Sequence, residues 1–110
     1  MSKTIMIVDD SASVRHAVCN ALGEAGYTML EAVDGKDALE KLTGARIHLI
    51  ISDVNMPIMN GLEFSQKVKN MNRRIPIILI TANTEIQSFT DAIDIGIDKF
   101  LVKPINLDKL

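Results

Sequence analysis

Residues 47–57 read IHLIISDVNMP, a short and almost wholly apolar run that ends in a carboxylate and then in turn residues. Strands that are covered by helices on both faces read as continuous apolar runs, so this stretch predicts a central strand of a parallel sheet. In such sheets ligands bind beyond the carboxyl ends of the strands. Asp53 therefore lies where α/β proteins place their ligand-binding residues. Pro57 and the Asn60-Gly61 pair predict the end of the strand and a turn toward the next helix.

The first predicted strand supplies two more carboxylates. Residues 4–8 form another apolar run, and Asp9 and Asp10 follow it directly. If this strand lies beside the one that ends at Asp53, three carboxylates converge at one edge of the sheet. Like charges at such short range repel, and either a raised pKa or a bound cation relieves them. A set of carboxylates with a nearby backbone carbonyl suits Mg²⁺, which keeps several waters and takes few protein ligands.

The composition is that of a single globular domain. Of the 110 residues, 47% are hydrophobic and 24% are charged. The net charge of −2 argues against a general nucleic-acid surface, so we expect no direct binding of nucleic acid. The single cysteine, Cys19, excludes an internal disulfide and fits a reducing compartment. No apolar run reaches membrane-spanning length and no signal-peptide pattern opens the chain, which predicts a cytoplasmic protein without membrane insertion.

Strands and helices alternate along the rest of the chain. This alternation predicts an α/β fold with a five-stranded parallel sheet and helices on both faces. The flavodoxin-like strand order 2-1-3-4-5 places the first and third strands side by side at the switch point. That order brings Asp9, Asp10 and Asp53 together, with Thr81 and Lys103 at the ends of the next two strands.

The second strand and the helices carry local signals of their own. The second strand, residues 27–33, is interrupted by Glu31 and is therefore placed at an edge of the sheet. Ser11 or Ser13 caps the first helix, and Gly26 ends it. The remaining expectations are a turn at Asp34-Gly35, a third helix over about 61–70 with Met71 on its buried side, a fourth helix from Thr84, and a last helix at 106–110.

That last helix is predicted to be cut short. Five residues make roughly 7 Å of helix, which leaves apolar side chains of the central strands uncovered on the side of the first helix. We therefore expect that further residues follow Leu110 in a natural product, or that a second chain covers this face.

Short motifs at the predicted strand ends, in the right order, resemble the receiver domain of bacterial response regulators, the CheY-like family. Each motif is weak alone, but the similarity runs over the whole of residues 1–110, which are expected to form one phosphoacceptor domain. The residues that carry it are Asp9-Asp10, Asp53 with Met56-Pro57 and Gly61, Thr81-Ala82, and Lys103-Pro104.

The resemblance implies a phosphoryl-transfer site. Asp53 would attack a phosphohistidine and become an aspartyl phosphate, a role that a carboxylate nucleophile can fill. Asp10, Asp53 and the backbone carbonyl of Asn55 would bind Mg²⁺, with Asp9 acting through water. Phosphoryl transfer depends on positioning and charge neutralisation more than on covalent help from the protein.

Further roles follow from the same resemblance. Lys103 would supply a point charge to a phosphoryl oxygen, and Thr81 would supply a hydroxyl donor. Ala82 would leave room for the phosphoryl group and offer its N–H. Thr81 and Phe100 occupy the switch positions, although many relatives carry Tyr at the second. Asn55 and Asn83 occupy the two positions that tune the lifetime of the phosphorylated state.

A two-component signalling switch is thus the leading interpretation. The expected partners are a sensor histidine kinase or phosphotransfer protein and a downstream protein or output domain, and a homodimer stays open. Phosphorylation would change the surface around the fourth helix, fifth strand and fifth helix, as in chemotaxis-like regulators. The domain would be no enzyme in the usual sense, since it would catalyse only its own phosphorylation and dephosphorylation.

Two other classes of function compete with this interpretation. A Mg²⁺-dependent phosphohydrolase of the haloacid-dehalogenase type also uses an Asp nucleophile at a strand end, and Asp53-Val54-Asn55 faintly resembles its signature. That family, however, carries the nucleophile on its first strand, places a second acid after it, and needs a longer chain. A dinucleotide-binding module fails because no glycine-rich loop follows the first strand.

Overall fold

The computed structural model describes residues 3–44, 46–54, 59–71, 75–81, 97 and 99–102. Strands and helices alternate from residue 4 to residue 81, as the sequence predicts. The elements are β1 (Thr4–Val8), α1 (Ala12–Glu24), β2 (Thr28–Ala32), α2 (Gly35–Leu42), β3 (Leu49–Asp53), α3 (Gly61–Met71), β4 (Ile77–Thr81) and β5 (Lys99–Val102). The predicted fourth helix and the predicted last helix fall on residues outside the described ones.

The described strands form one parallel sheet in the order β2-β1-β3-β4-β5. The predicted order of the first four strands is therefore confirmed, and the fold is a flavodoxin-like α/β fold. β2, the strand that Glu31 interrupts, lies at an edge as predicted. At the other edge β5 pairs with β4, with Thr81 opposite Val102.

The two faces of the sheet carry separate apolar cores because side chains alternate along each strand. Met6 and Ile50 face the side covered by α2 and α3, where they join Phe64 of α3. Ile7 and Ile51 face the other side, which α1 covers through its buried residues, Val18 and Leu22. Full burial of such side chains stabilises the fold by about 1.5–3 kcal/mol each. The central strands thus bury apolar side chains on both faces, as their continuous apolar runs predict.

Both predicted ends of α1 are confirmed. The Ser11 hydroxyl accepts a hydrogen bond from the Val14 N–H at 3.4 Å, so Ser11 is the N-cap. Gly26 follows the helix with φ of 100°, the left-handed region in which a glycine avoids the steric cost that other residues meet. The Tyr27 N–H then donates to the Leu22 carbonyl at 3.2 Å and closes the helix end.

One local prediction needs a finer description and one is wrong. The chain bends at Asp34 ahead of the second helix, and the Asp34 carboxylate also accepts the Asp37 N–H at 2.8 Å and caps α2, of which Gly35 is the first residue. Met71 is not on a buried face, since its side chain is 58% exposed. It is the last residue of α3, so the apolar spacing continues to the point where the helix ends.

The face that α1 covers also contains a cavity of about 470 Å³ near the amino ends of the strands. Half-buried Leu49 and Ile78 line it, together with His48, whose Nδ1 accepts the Thr4 N–H at 3.0 Å. The expectation that further chain or a second chain covers this face stays a prediction. None of the described helices is long and apolar enough to cross a membrane.

Candidate metal and phosphoacceptor site

Asp53 is the last residue of the central strand β3 and is only 4% exposed. Its neighbours on both sides are fixed by hydrogen bonds. The Ser52 hydroxyl donates to the Asp53 carbonyl at 3.0 Å, and the Val54 N–H donates to the Ile80 carbonyl of β4 at 2.9 Å. The backbone that carries this carboxylate is therefore held by the sheet itself.

The strand register places Asp9 beside Asp53. Val8, the last residue of β1, pairs with Ser52 of β3, so the two acids occupy the next position on neighbouring strands. Asp9 is 1% exposed, and its N–H donates to the Ala32 carbonyl of β2 at 3.1 Å. One oxygen of its carboxylate accepts the Ser11 N–H at 2.9 Å.

Asp10 completes a cluster of carboxylates at this edge of the sheet. One carboxylate oxygen from each of Asp9, Asp10 and Asp53 lies within 4.8 Å of the other two. Asp9 and Asp53 are buried and Asp10 is exposed, so the cluster opens to solvent on one side. The predicted convergence of the three acids is confirmed. These all-oxygen donors and their spacing fit a hard divalent cation such as Mg²⁺, which would also offset their mutual repulsion.

The start of α1 adds to the electrostatics of the cluster. The helix begins at Ala12, directly after the Asp9-Asp10 pair and its cap. The amino end of a helix carries a partial positive charge, and its free N–H groups favour nearby anions. Together with the Ser11 N–H, this partly compensates the negative charge gathered at the strand ends.

Gly61 fixes the segment that follows Asp53, for a reason that the sequence signal did not indicate. The Gly61 N–H donates to the Val54 carbonyl at 2.8 Å. A side chain at this position would place its Cβ against the Asp53 carbonyl oxygen and 2.8 Å from the Val54 Cα. Real Cβ atoms essentially never come within 3.0 Å of such an atom. The glycine therefore permits α3 to start directly against the backbone of the phosphoacceptor candidate.

An ion pair that the sequence pattern does not predict lies behind the cluster. Arg15 of α1 donates through Nε to the Glu31 carboxylate of β2 at 3.2 Å, and through Nη1 to the Asp9 carbonyl at 2.8 Å. The signal that could have revealed it is Glu31 itself, a charged residue in an otherwise apolar strand.

The structure describes only some of the other predicted site residues. Thr81 is the last residue of β4, and Phe100 lies in β5 opposite Leu79. The remaining four, Asn55, Ala82, Asn83 and Lys103, lie outside the described residues. Their predicted roles stay predictions.

Comparison with known proteins assigns the family. The family model of the response regulator receiver domain matches residues 5–110. The chain belongs to that family. Receiver domains are the phosphoacceptor switches of two-component systems and work with histidine kinases, so the two-component interpretation is confirmed. The haloacid-dehalogenase alternative is not favoured, which agrees with the position of Asp53 on the third strand.

Receiver-containing relatives occur both inside larger proteins and alone. The domain is 36% identical over 106 residues to the sensor histidine kinase RcsC of Salmonella typhi, covering 96% of this chain and 11% of the kinase. The chain thus spans about a tenth of the length of that relative. In contrast, the chemotaxis protein CheY4 of Vibrio cholerae is matched over 98% of this chain and 92% of that chain, with 38% identity and a TM-score of 0.93.

A further solved relative bears on the metal. The response regulator TrrA of Thermotoga maritima, in complex with Mg²⁺-BeF, is 32% identical, with a TM-score of 0.87 over 97% of this chain and 91% of that chain. The acidic cluster of the receiver domain is compatible with the same cation.

Proposed function

We propose that Asp53 is the phosphoacceptor of this receiver domain and that Mg²⁺ is its cofactor. The observation that carries the proposal is the convergence of the Asp9, Asp10 and Asp53 carboxylates at the carboxyl ends of adjacent strands. Asp10, Asp53 and the backbone carbonyl of Asn55 would hold the cation, and Asp9 would act through water. The cation supplies charge neutralisation at the phosphoryl oxygens.

The residues of the chain then perform a simple displacement. One carboxylate oxygen of Asp53 attacks the phosphorus of a phosphohistidine on the kinase or phosphotransfer protein. An O–P bond forms as the N–P bond breaks, and the imidazole leaves with the electron pair. The burial of Asp53 helps to exclude bulk water from the nucleophile. Hydrolysis of the aspartyl phosphate by the same domain returns the carboxylate.

The remaining roles come from the family motifs. Lys103 contacts a phosphoryl oxygen, Thr81 donates its hydroxyl, and the Ala82 N–H adds a further donor. Thr81 and Phe100 then pass the change to the neighbouring surface. The side chains at positions 55 and 83 tune the rate of hydrolysis.

The output belongs to the single receiver domain that residues 1–110 form. Phosphorylation alters the surface of the fourth helix, β5 and the fifth helix, to which a downstream protein, an output domain or a second copy binds. In RcsC the matching region is a small part of a much longer protein, whereas the CheY4 chain is only slightly longer than the region that matches.

The proposal is tested by incubating the protein with acetyl phosphate and Mg²⁺ and weighing the intact chain. We expect a stoichiometric adduct of one phosphoryl group that Asp53→Asn abolishes. Asp37→Asn is the matched control, because Asp37 is also a partly buried acid but lies at the start of α2. It should be phosphorylated as the parent is.

Two outcomes would overturn the proposal. An adduct that persists in Asp53→Asn would move the phosphoacceptor to another residue. Multiple turnover of phosphoester substrates without an adduct would indicate a phosphohydrolase instead of a switch.

A further inference from the structure

A charged network lies directly behind the acidic cluster. Arg15 donates to the Asp9 carbonyl at 2.8 Å through Nη1 and to the Glu31 carboxylate at 3.2 Å through Nε. The Arg15 side chain is only 14% exposed, so its guanidinium is largely shielded from water, whereas the Glu31 side chain is partly exposed. The planar guanidinium makes the two bonds in a fixed relative direction. Its position is therefore set by a strand on one side and by the β1–α1 loop on the other.

Arg15 contacts Asp9 at the backbone carbonyl that leads into Asp10, one of the three carboxylates of the cluster. The Asp9 carbonyl belongs to the peptide that joins Asp9 to Asp10, so its direction sets the path of the chain into Asp10. The Asp9 N–H is bound to Ala32, and one carboxylate oxygen is bound to Ser11. Arg15 fixes the remaining polar group of the backbone at this residue. Rotation of that peptide would swing the exposed Asp10 carboxylate away from Asp53.

Glu31 is held in place in turn. Lys41 of α2 donates to the Glu31 backbone carbonyl at 2.6 Å and to the Asp37 carboxylate at 3.1 Å. The edge strand β2 is thereby fixed where it carries the Glu31 side chain. That side chain is 42% exposed, so its ion pair with Arg15 alone contributes little to stability. A stabilising role does not account for a charged residue at this position of the strand.

We propose that Arg15 is a positioning residue of the cation site: it holds the Asp9–Asp10 peptide so that the carboxylates converge, and Glu31 holds Arg15. This inference rests on the proposed Mg²⁺ site, and it adds residues that do not touch the ion. Groups that orient metal ligands from behind typically change metal affinity by 10–100-fold when removed. The effect of Arg15 reaches the ion only through the Asp9–Asp10 backbone.

The direction of the change in Mg²⁺ affinity distinguishes a positioning role of Arg15 from a purely electrostatic one. Arg15 is a cation near a cation site, so its removal should tighten Mg²⁺ binding if only through-space charge mattered. Positioning predicts the opposite. We expect Arg15→Met, which keeps the apolar stem of the side chain, to weaken Mg²⁺ binding roughly tenfold. Arg15→Lys, with a single compact head in place of the fork, should recover part of that loss.

The test is calorimetric titration of MgCl₂ alone into each folded protein, with circular dichroism to verify the fold. Lys36→Met is the charge-matched control, because Lys36 is an exposed cation of α2 outside this network; its affinity should match the parent or be slightly tighter. Glu31→Gln should weaken binding severalfold in the parent and have no further effect in the Arg15→Met background. This dependence distinguishes action through Arg15 from a direct effect of the Glu31 charge.

The possible failures are separable. Parent-like or tighter Mg²⁺ binding by Arg15→Met, or a full additional loss from Glu31→Gln in that background, overturns the positioning role while the cation site stands. If Arg15→Met does not fold, Arg15→Lys and Glu31→Gln decide, and unchanged affinity in both overturns it. Absence of Mg²⁺ binding by the parent overturns the proposed site and this inference together. Mg²⁺ binding without an Asp53 adduct overturns only the phosphoacceptor.

Discussion

The Asp53 carboxylate lies close to those of Asp9 and Asp10, with one oxygen from each within 4.8 Å of the other two. Two unit charges 4 Å apart repel by about 4 kcal/mol at an effective dielectric constant of 20, and solvent at the exposed Asp10 reduces that figure further. This repulsion among the three carboxylates opposes folding. The presence of Asp53 at a buried strand end is better explained by chemistry than by packing.

The first prediction follows from this repulsion. Asp53→Asn keeps the shape of the side chain and removes one charge, so without Mg²⁺ we expect it to melt at or above the temperature of the parent. A gain of 1 kcal/mol corresponds to roughly 4–8 °C in a domain near this size. Thermal unfolding followed by circular dichroism at neutral pH measures the difference. A large loss of stability would show that Asp53 has a structural role that outweighs the repulsion.

At the scale of elements, the start of α3 is constrained by Gly61. An added methyl group meets the backbone of Asp53 and Val54, and backbone atoms cannot move aside as a flexible side chain does. We expect Gly61→Ala to reduce the free energy of unfolding by about 1–3 kcal/mol, the usual cost of overpacking. The displaced Asp53 should also accept phosphate more slowly. Urea unfolding and the rate of adduct formation measure the two effects.

Gly23→Ala is the matched control for that variant. Gly23 lies within α1, and nothing stands within 4 Å of the position its Cβ would take. Alanine is favoured over glycine in a helix by about 1 kcal/mol or less, so this variant should be slightly stabilised. Loss of stability in both variants would assign the cost to helical glycines in general. Gly61 would then have no special contact with Asp53.

At the start of α2, the Asp37 carboxyl makes the stability of the fold depend on pH. Burial tends to raise the pKa of Asp37, but the hydrogen bond from the Val33 N–H and the Lys41 ammonium outweigh it, and the pKa is lowered. A carboxyl whose pKa is lowered by folding stabilises the fold above its ordinary pKa. This contribution is lost as the pH falls from about 4 through the lowered pKa of the folded protein, because the unfolded chain takes up the proton first.

We therefore expect the stability difference between the parent and Asp37→Asn to shrink as the pH falls. At neutral pH the variant should be less stable by roughly 0.5 kcal/mol, the size of a helical i,i+4 pair. Below the lowered pKa the two proteins should converge. Urea unfolding at several pH values measures this difference and cancels the titration of the acidic cluster, which both proteins share. A constant difference across the acid range would contradict the assignment.

At the scale of the whole molecule, the parts of the fold that follow from local pattern were predictable. The apolar runs of β1, β3 and β4 specify strands covered on both faces, and alternation with helices leaves few strand orders. From that order the meeting of Asp9, Asp10 and Asp53 follows. The Arg15–Glu31 pair was not predictable, because it joins a helix to a strand sixteen residues away and depends on their packing. The cap at Asp34 does not follow from sequence alone, because Asp favours both turns and helix caps.

The acidic cluster couples cation binding to the stability of the entire domain. A ligand that binds only the folded state stabilises it by RT ln(1 + [L]/Kd), which is about 1.4 kcal/mol at ten times Kd. We expect MgCl₂ at ten times Kd to raise the melting temperature of the parent by roughly 6–11 °C, since 1 kcal/mol corresponds to about 4–8 °C. Asp10→Ala should melt independently of Mg²⁺, because it removes one of the three ligand carboxylates.

Screening must be separated from binding in that experiment, since any salt weakens the repulsion among exposed charges. NaCl at matched ionic strength is the control. If it raises the melting temperature of the parent as much as MgCl₂ does, the cluster is merely a group of crowded acids. A rise that requires Mg²⁺ and disappears in Asp10→Ala would instead mean that the cluster destabilises the empty fold because it is built to hold the cation. The instability and the function would then have the same physical origin.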